Sequence, residues 1–232
     1  MPWNNSTFSD LDWMAFFRDH AETVQWYQAA QCPCMSGTGT DGQPNLNCAA
    51  CGGLGYWYPN PAQTLAVILT EVKQAFQLTE EGWAMPGTDL IADFAPGASL
   101  PAYGDLIWPT RWRQGEPFEG QRVIRGSEST DALWYTATTV DYCATVDPTT
   151  GLATPYALGT DFTVTGKTVT WLGTANQPAT GALYTIRYNA QFEWVVYQPP
   201  QVRLERATSL GPRAILRKRH IVLPNGPSIL GG

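Results

Sequence analysis

Asp161-Phe-Thr-Val-Thr-Gly-Lys-Thr-Val-Thr-Trp-Leu172 is the stretch that decides the fold class. Phe162 and Val164 alternate with threonines before Thr165-Gly166-Lys167, and Val169 and Trp171 alternate with threonines after it. Period-two alternation puts apolar side chains on one face of an extended chain, and β-branched and aromatic residues suit that half-buried surface. The glycine between the two runs supplies the backbone freedom of a tight hairpin. The stretch therefore predicts two antiparallel strands, at 161–164 and 168–172. Similar runs lie on either side, at Leu133 to Val146, Leu183 to Tyr188 and Glu193 to Tyr197, with Pro178-Ala179-Thr180-Gly181 as a turn and Pro199-Pro200 as the end of the sheet.

Upstream, turn signals recur at Met85-Pro86-Gly87, Ala95-Pro96-Gly97 and Tyr103-Gly104-Asp105, then at Gly115, Gly120 and Gly126. Short strands between such turns predict a small β-barrel or sandwich. The 10 Trp, 10 Tyr, 22 Gly and 18 Pro agree, because aromatics suit sheet surfaces while Gly and Pro punctuate them. At the start, Ser9, Asp10 and Asp12 mark a helix entry, and Trp13, Phe16, Phe17 and Ala21 form an apolar stripe, which predicts a helix over 9–20. Val24 and Trp26 then alternate in a strand that runs into the first cysteines. Residues 61–77 read both ways: Leu65, Leu69, Val72 and Phe76 fit a helical face, and Leu65, Val67 and Leu69 fit a strand. One more strand is expected from Arg213 to Val222.

The expected fold is thus mainly β: a short N-terminal helix, an inserted zinc-knuckle loop, a small β-barrel or sandwich and a second strand-rich block. The expected division is 1–31 for helix and strand, 32–58 for the knuckle, 59–126 and 127–200 for the two β blocks, and 201–232 for a basic arm. A chain of 232 residues can bury a core without disulfide help.

Four of the five cysteines fall in two pairs, Cys32-Pro33-Cys34 and Cys48-Ala49-Ala50-Cys51. Structural zinc takes four thiolates in a tetrahedron, commonly as two short-spaced pairs on separate turns. The second pair continues into Gly52-Gly53-Leu54-Gly55-Tyr56, where glycines let the backbone fold beneath the metal and turn its amides to the thiolates. The first pair is tighter than usual, with Pro33 alone between its cysteines. Residues 35–47 show no apolar periodicity, so ligands at their two ends are what could hold them. Buried free thiols and an iron–sulfur cluster use the same residues. Four thiolates leave no open position for water, which disfavours catalytic zinc. Cys143 stands alone in a strand-like run and reads as a buried small hydrophobe.

The net charge of -6 argues against binding nucleic acid through a global field. Charge is uneven, however: six of the 14 basic residues, Arg203, Arg206, Arg213, Arg217, Lys218 and Arg219, lie in the last stretch with one acid, Glu205. On a strand, Arg213, Arg217 and Arg219 share a face that needs an anionic partner, either acidic residues of an adjacent subunit or duplex DNA. The acidic body favours the subunit. No signal peptide and no apolar run of membrane-spanning length is present, so synthesis in the cytoplasm is expected.

Other chemistry is thin. His20 and His220 have no nucleophile motif beside them and read as surface or packing residues. Asp89, Asp93 and Asp105 lie near turns, where carboxylates cap backbone amides, although two carboxylates could also serve hydrolysis. No base, nucleophile and orienting group can be assembled, so no enzyme is expected.

The order of these features resembles the head-to-tail connector, or neck, proteins of tailed bacteriophages. The resemblance rests on the N-terminal helix, the strand entering Cys32-Pro-Cys34, the polar loop, and Cys48-x-x-Cys51-Gly-Gly-x-Gly-Tyr56. It continues through Tyr103-Gly104-Asp105-Leu106-Ile107, Asp161-Phe162-Thr163-Val164, Gly181-x-x-Tyr184-x-Ile186-x-Tyr188 and Leu210-Gly-Pro-Arg213-Ala-Ile-Leu-Arg217. It implies a structural virion protein, a zinc knuckle that staples a loop, and a homo-oligomeric ring contacting the portal or adaptor and the tail proteins. Alternatives are a zinc-ribbon nucleic-acid-associated protein, which the lack of Lys and Arg across 31–60 opposes, and a carbohydrate-binding or hydrolytic tail component.

Overall fold

A computed structural model describes residues 10–36, 48, 51, 55–73, 76–79, 82–84, 86–109, 111, 115–205 and 208–222. The protein is mainly β. In chain order, α1 (Asp10–His20) leads into β1 (Glu22–Tyr27) and the short β2 (Ala30–Gln31), and a 3-10 turn, Pro33–Ser36, carries the first cysteine pair. There follow β3 (Tyr56–Trp57), β4 (Gln63–Glu71), β5 (Phe76–Thr79), β6 (Gly82–Ala84), β7 (Asp89–Phe94) and β8 (Leu106–Pro109). The next strands are β9 (Glu116–Ile124), β10 (Thr130–Ala132), β11 (Thr136–Val146), β12 (Ala153–Pro155), β13 (Phe162–Thr165), β14 (Thr168–Trp171) and β15 (Leu183–Gln191). The chain then returns through β16 (Trp194–Glu205) and β17 (Thr208–Lys218) to α2 (Arg219–Val222). Among the described residues no helix is long and apolar enough to cross a membrane.

Two compact units result, and neither is a continuous piece of chain. The first takes Met1–Gln31, Tyr56–Trp112 and Glu193–Pro224; the second takes Cys32–Gly55, Arg113–Phe192 and Asn225–Gly232. This differs from the consecutive blocks expected above. The separate basic arm at 201–232 disappears, because β17 is a barrel strand that pairs with both β7 and β16.

The first unit is a closed barrel, ordered β1-β4-β7-β17-β16-β8. Residues opposite one another in an antiparallel ladder share a face. The pairs Val24↔Leu65, Val67↔Phe94, Ala92↔Ala214, Leu90↔Leu216, Leu216↔Val196, Trp194↔Ile107 and Trp26↔Ile107 therefore pass one buried face around the ring. Segment 63–71, open between helix and strand from local pattern, is β4: its alternation matches this interior, and barrel closure overrides the helical spacing. Outside, α1 lays Trp13 and Phe17 on Ile68. Phe16, expected in the same stripe, is instead exposed and stacks on His20 with ring centres 4.2 Å apart.

Gly211 shows why the chain reads Leu-Gly-Pro-Arg at the start of the β17–β7 contact. Its φ is +76°, and a Cβ there would overlap the carbonyl oxygen of Phe94. Pro199-Pro200, expected to end the sheet, instead lies inside β16. The prolines fall in a register irregularity between Gln198 and Gln201, where their missing N–H groups break no regular ladder.

The second unit holds a three-stranded sheet, β10-β14-β13, and a four-stranded sheet, β12-β11-β15-β9. The hairpin read from sequence forms with Phe162 opposite Trp171 and Thr165 opposite Thr168, around Gly166 at φ 59°. Aromatic edges fill the interior: Tyr135 meets Phe192 at 4.9 Å, and Trp171 meets Tyr184 at 5.2 Å. Asp131 accepts from Trp171 Nε1 at 2.7 Å, Tyr184 Oη at 3.0 Å and the Gly126 amide at 2.8 Å, so the polar ends of these rings are satisfied. Cys143 is buried, as expected, and burial pushes its thiol up to about 12.

Candidate metal centre

The antiparallel ribbon of β2 and β3 pairs Ala30 with Trp57 and Gln31 with Tyr56. One step further, the Cys32 amide donates to the Gly55 carbonyl at 2.7 Å. The same register thus continues into the knuckle and fixes Cys32 opposite the end of the second cysteine segment. Pro33 then starts a 3-10 turn, closed by the Met35 amide on the Cys32 carbonyl at 2.9 Å. That tight turn lets a one-residue gap bring both sulfurs of the first pair to one side.

All four sulfurs converge. Cys32 and Cys48 Sγ are 3.7 Å apart, Cys34 and Cys51 Sγ are 3.5 Å apart, and the four atoms lie within 4.8 Å of one another. These are contacts between free thiols, since a disulfide would bring two sulfurs to about 2.05 Å. A tetrahedron of thiolates around zinc, with bonds of about 2.3 Å, has edges of about 3.8 Å, close to the Cys32–Cys48 and Cys34–Cys51 separations. A multi-iron cluster divides its thiolates among separate irons and needs a wider frame. The donor set therefore fits one tetrahedral ion that accepts four soft ligands. Cys32 and Cys51 are buried and Cys34 and Cys48 half-buried.

Backbone amides reach two of the four sulfurs. The Gly55 amide points at Cys51 Sγ from 3.4 Å, as expected for a glycine-lined turn below a metal. Gly52 and Gly53, for which the same role was expected, and residues 37–47 of the loop lie outside the described residues. At Cys32 the Cys34 amide lowers the thiol pKa, while burial and the bonds with the Cys51 and Cys48 thiols raise it, and the net direction is up. Thiols so close resist joint ionisation, and a divalent cation among them is what reverses that balance.

The three arginines are not joined in one outward face. Arg213 and Arg217 do lie on the same side of β17, but each sits directly across from an aspartate on β7. Arg213 binds Asp93 through Nε at 2.8 Å and Nη2 at 3.0 Å, and Arg217 binds Asp89 through Nε at 2.7 Å and Nη2 at 2.8 Å. Arg217 also lies 3.9 Å over the Tyr197 ring. Arg219 leaves the strand, because β17 ends at Lys218, and its buried guanidinium meets buried Glu193 at 2.9 Å. The anionic partners assigned above to a neighbouring subunit or to DNA are thus supplied within the chain.

Asp89 and Asp93 are thereby ion-pair partners rather than caps. Asp105 is the cap: it accepts from the Ala29 amide at 2.8 Å, the Ala102 amide at 2.8 Å and Trp26 Nε1 at 2.7 Å. His20 is exposed and bonds the Phe16 carbonyl at 2.9 Å. Burial, with Lys218 nearby, lowers His220 to about 4. Sequence reasoning missed the Glu193–Arg219 pair, whose partners lie 26 residues apart. It also missed Glu22, which shares the buried face of β1 with Val24 and which burial raises to about 7. A signal for Glu22 was present, since it stands two residues before Val24 in the alternating run.

No protein-family model matches the chain, and no curated protein matches it.

Proposed function

We propose that the chain is a non-catalytic assembly protein with a structural zinc ion on Cys32, Cys34, Cys48 and Cys51, and that it is a subunit of the ring-shaped neck joining capsid vertex and tail in a tailed bacteriophage. The observation that carries the structural role is the closed thiolate set. Four sulfurs that converge to within 4.8 Å of one another fill a tetrahedral ion's coordination, leaving no position for a water or substrate. Such an ion supplies folding energy to the loop between its ligands.

The state of the carboxylates supports the same reading. Asp89, Asp93, Asp105, Asp131, Asp161 and Glu193 are buried, and each is bound to an arginine or to N–H and O–H donors of its own fold. A residue so committed is a poor acid or base. Support for assembly comes from an exposed apolar pair on the second unit: Ile124 and Leu183 are cross-strand neighbours and 65% and 46% exposed. Neighbouring subunits in a ring cover such surface. The phage assignment rests on the sequence resemblance.

The test is light scattering and negative-stain electron microscopy of the zinc-loaded protein, from micromolar to high concentration. Closed rings of one size are expected. A monomer at every concentration that also fails to add to tail or capsid intermediates contradicts the ring, and a metal-dependent turnover contradicts the non-catalytic role.

A further inference from the structure

The first unit holds a cavity of about 260 Å³ whose lining includes Trp26, Gln28, Pro59, Asn60, Leu100 and Asp105, with three alanines completing the wall. We propose that this cavity binds an alkylammonium or alkylguanidinium group, the chemistry of a free amine or of a lysine or arginine side chain. The inference stands apart from the ring and from the zinc site.

The polar lining carries acceptors and no cation. Asp105 is buried and its three donors are all neutral, two backbone amides and the Trp26 indole N–H. It has no ion-pair partner among the described residues. Among the described residues, the other buried carboxylates of the barrel, Asp89, Asp93 and Glu193, each meet an arginine. Two of Asp105's three bonds fall on Oδ2 and one on Oδ1, so Oδ1 keeps acceptor capacity.

Gln28 and Asn60 also line the cavity. Each has an amide oxygen that can accept from a cation, and no lysine, arginine or histidine lines the space, which disfavours anions. Pro59, Leu100 and the alanines offer the apolar wall that an aliphatic stem needs. The cavity has room for a single alkyl cation and is small for a drug-sized ligand, which takes about 300 Å³ or more. A charged donor entering there forms charge-assisted bonds, the stronger class.

The test is nuclear magnetic resonance of the zinc-loaded full chain at constant ionic strength, titrated with n-butylguanidinium and n-butylammonium chloride. The readouts are the Trp26 indole N–H and the side-chain amides of Gln28 and Asn60. Saturable shifts are expected, with Kd on the order of millimolar. Asn60→Leu alone, and Gln28→Leu with Asn60→Leu, leave the barrel folded and weaken binding, the pair by about tenfold or more. A capped Gly-Arg-Gly peptide separates the two sources. Tighter binding than n-butylguanidinium identifies a protein side chain as the ligand, and equal or weaker binding identifies a free small cation. Shifts of the same size with n-butanol or butyramide, shifts that never saturate, or unchanged binding by the double variant would overturn the proposal.

Discussion

Removing Arg217 strands a carboxylate. The Asp89 side chain is 0% exposed and that of Arg217 16%, and two parallel bonds of 2.7 and 2.8 Å join them. Breaking a buried pair by deleting one partner costs about 3 to 5 kcal/mol, mostly because the survivor keeps its desolvation penalty. Arg217→Met keeps the aliphatic stem and removes the guanidinium, with its two bonds to Asp89 and its place over the Tyr197 ring. We expect about 3 kcal/mol, near the lower bound because one partner touches water, and a Tm lower by about 6 to 12 °C for a chain of this size. Asp89→Leu alone should cost slightly less, since Arg217 can turn outward. The double substitution should lie within about 1 kcal/mol of the parent, because an apolar pair of similar volume has no charge to desolvate. Urea unfolding followed by tryptophan fluorescence measures all four proteins, with m-values compared to confirm a common transition. The loss should not depend on protein concentration, since both partners belong to one chain. A single variant within about 1 kcal/mol of the parent, a double variant as weak as the sum of the singles, or a loss that vanishes at high concentration refutes the reasoning.

The other expectations are independent of this pair. Gly211→Ala puts a methyl group into the Phe94 carbonyl at a positive φ and should cost at least about 2 kcal/mol; an unchanged urea midpoint contradicts it. Glu22 is raised to about 7 by burial, so the fold favours its neutral form, and this contribution to stability is complete below the ordinary carboxylate range and lost as pH rises through about 7. Glu22→Gln should therefore gain stability over the parent at pH 8 and not at pH 4, and an equal effect at both values would falsify the assignment. Cys143, buried and raised to about 12, should resist iodoacetamide at pH 8 until the chain unfolds, which peptide mapping of the labelled protein checks.

What the sequence revealed was local, and what it concealed was long-range. Phe162 to Trp171 carries its strand period and its turn in ten consecutive residues, so the hairpin is readable without any partner. The cysteine pairs are equally local in the sequence, and only their convergence needed the structure. Residues 63–71 fit two periods, and the choice between them came from β1 and β7, which lie distant in the chain. The arginines were misjudged for the same reason. Their alternation on β17 is visible, but Asp89 and Asp93 stand more than a hundred residues earlier, and no local pattern joins the two strands. Arg219 failed differently, since a helical turn at 219–222 ended the strand period one residue before it.

Zinc K-edge X-ray absorption on the purified chain, combined with native mass spectrometry, tests the central assignment most directly. One zinc per chain is predicted, with four sulfur neighbours at about 2.3 Å and no nitrogen or oxygen in the coordination shell. Cys48→Ser should remove a sulfur from that shell and leave the barrel's unfolding midpoint in place. A metal-free protein with four freely titrating thiols, or a coordination shell containing water, would contradict the account.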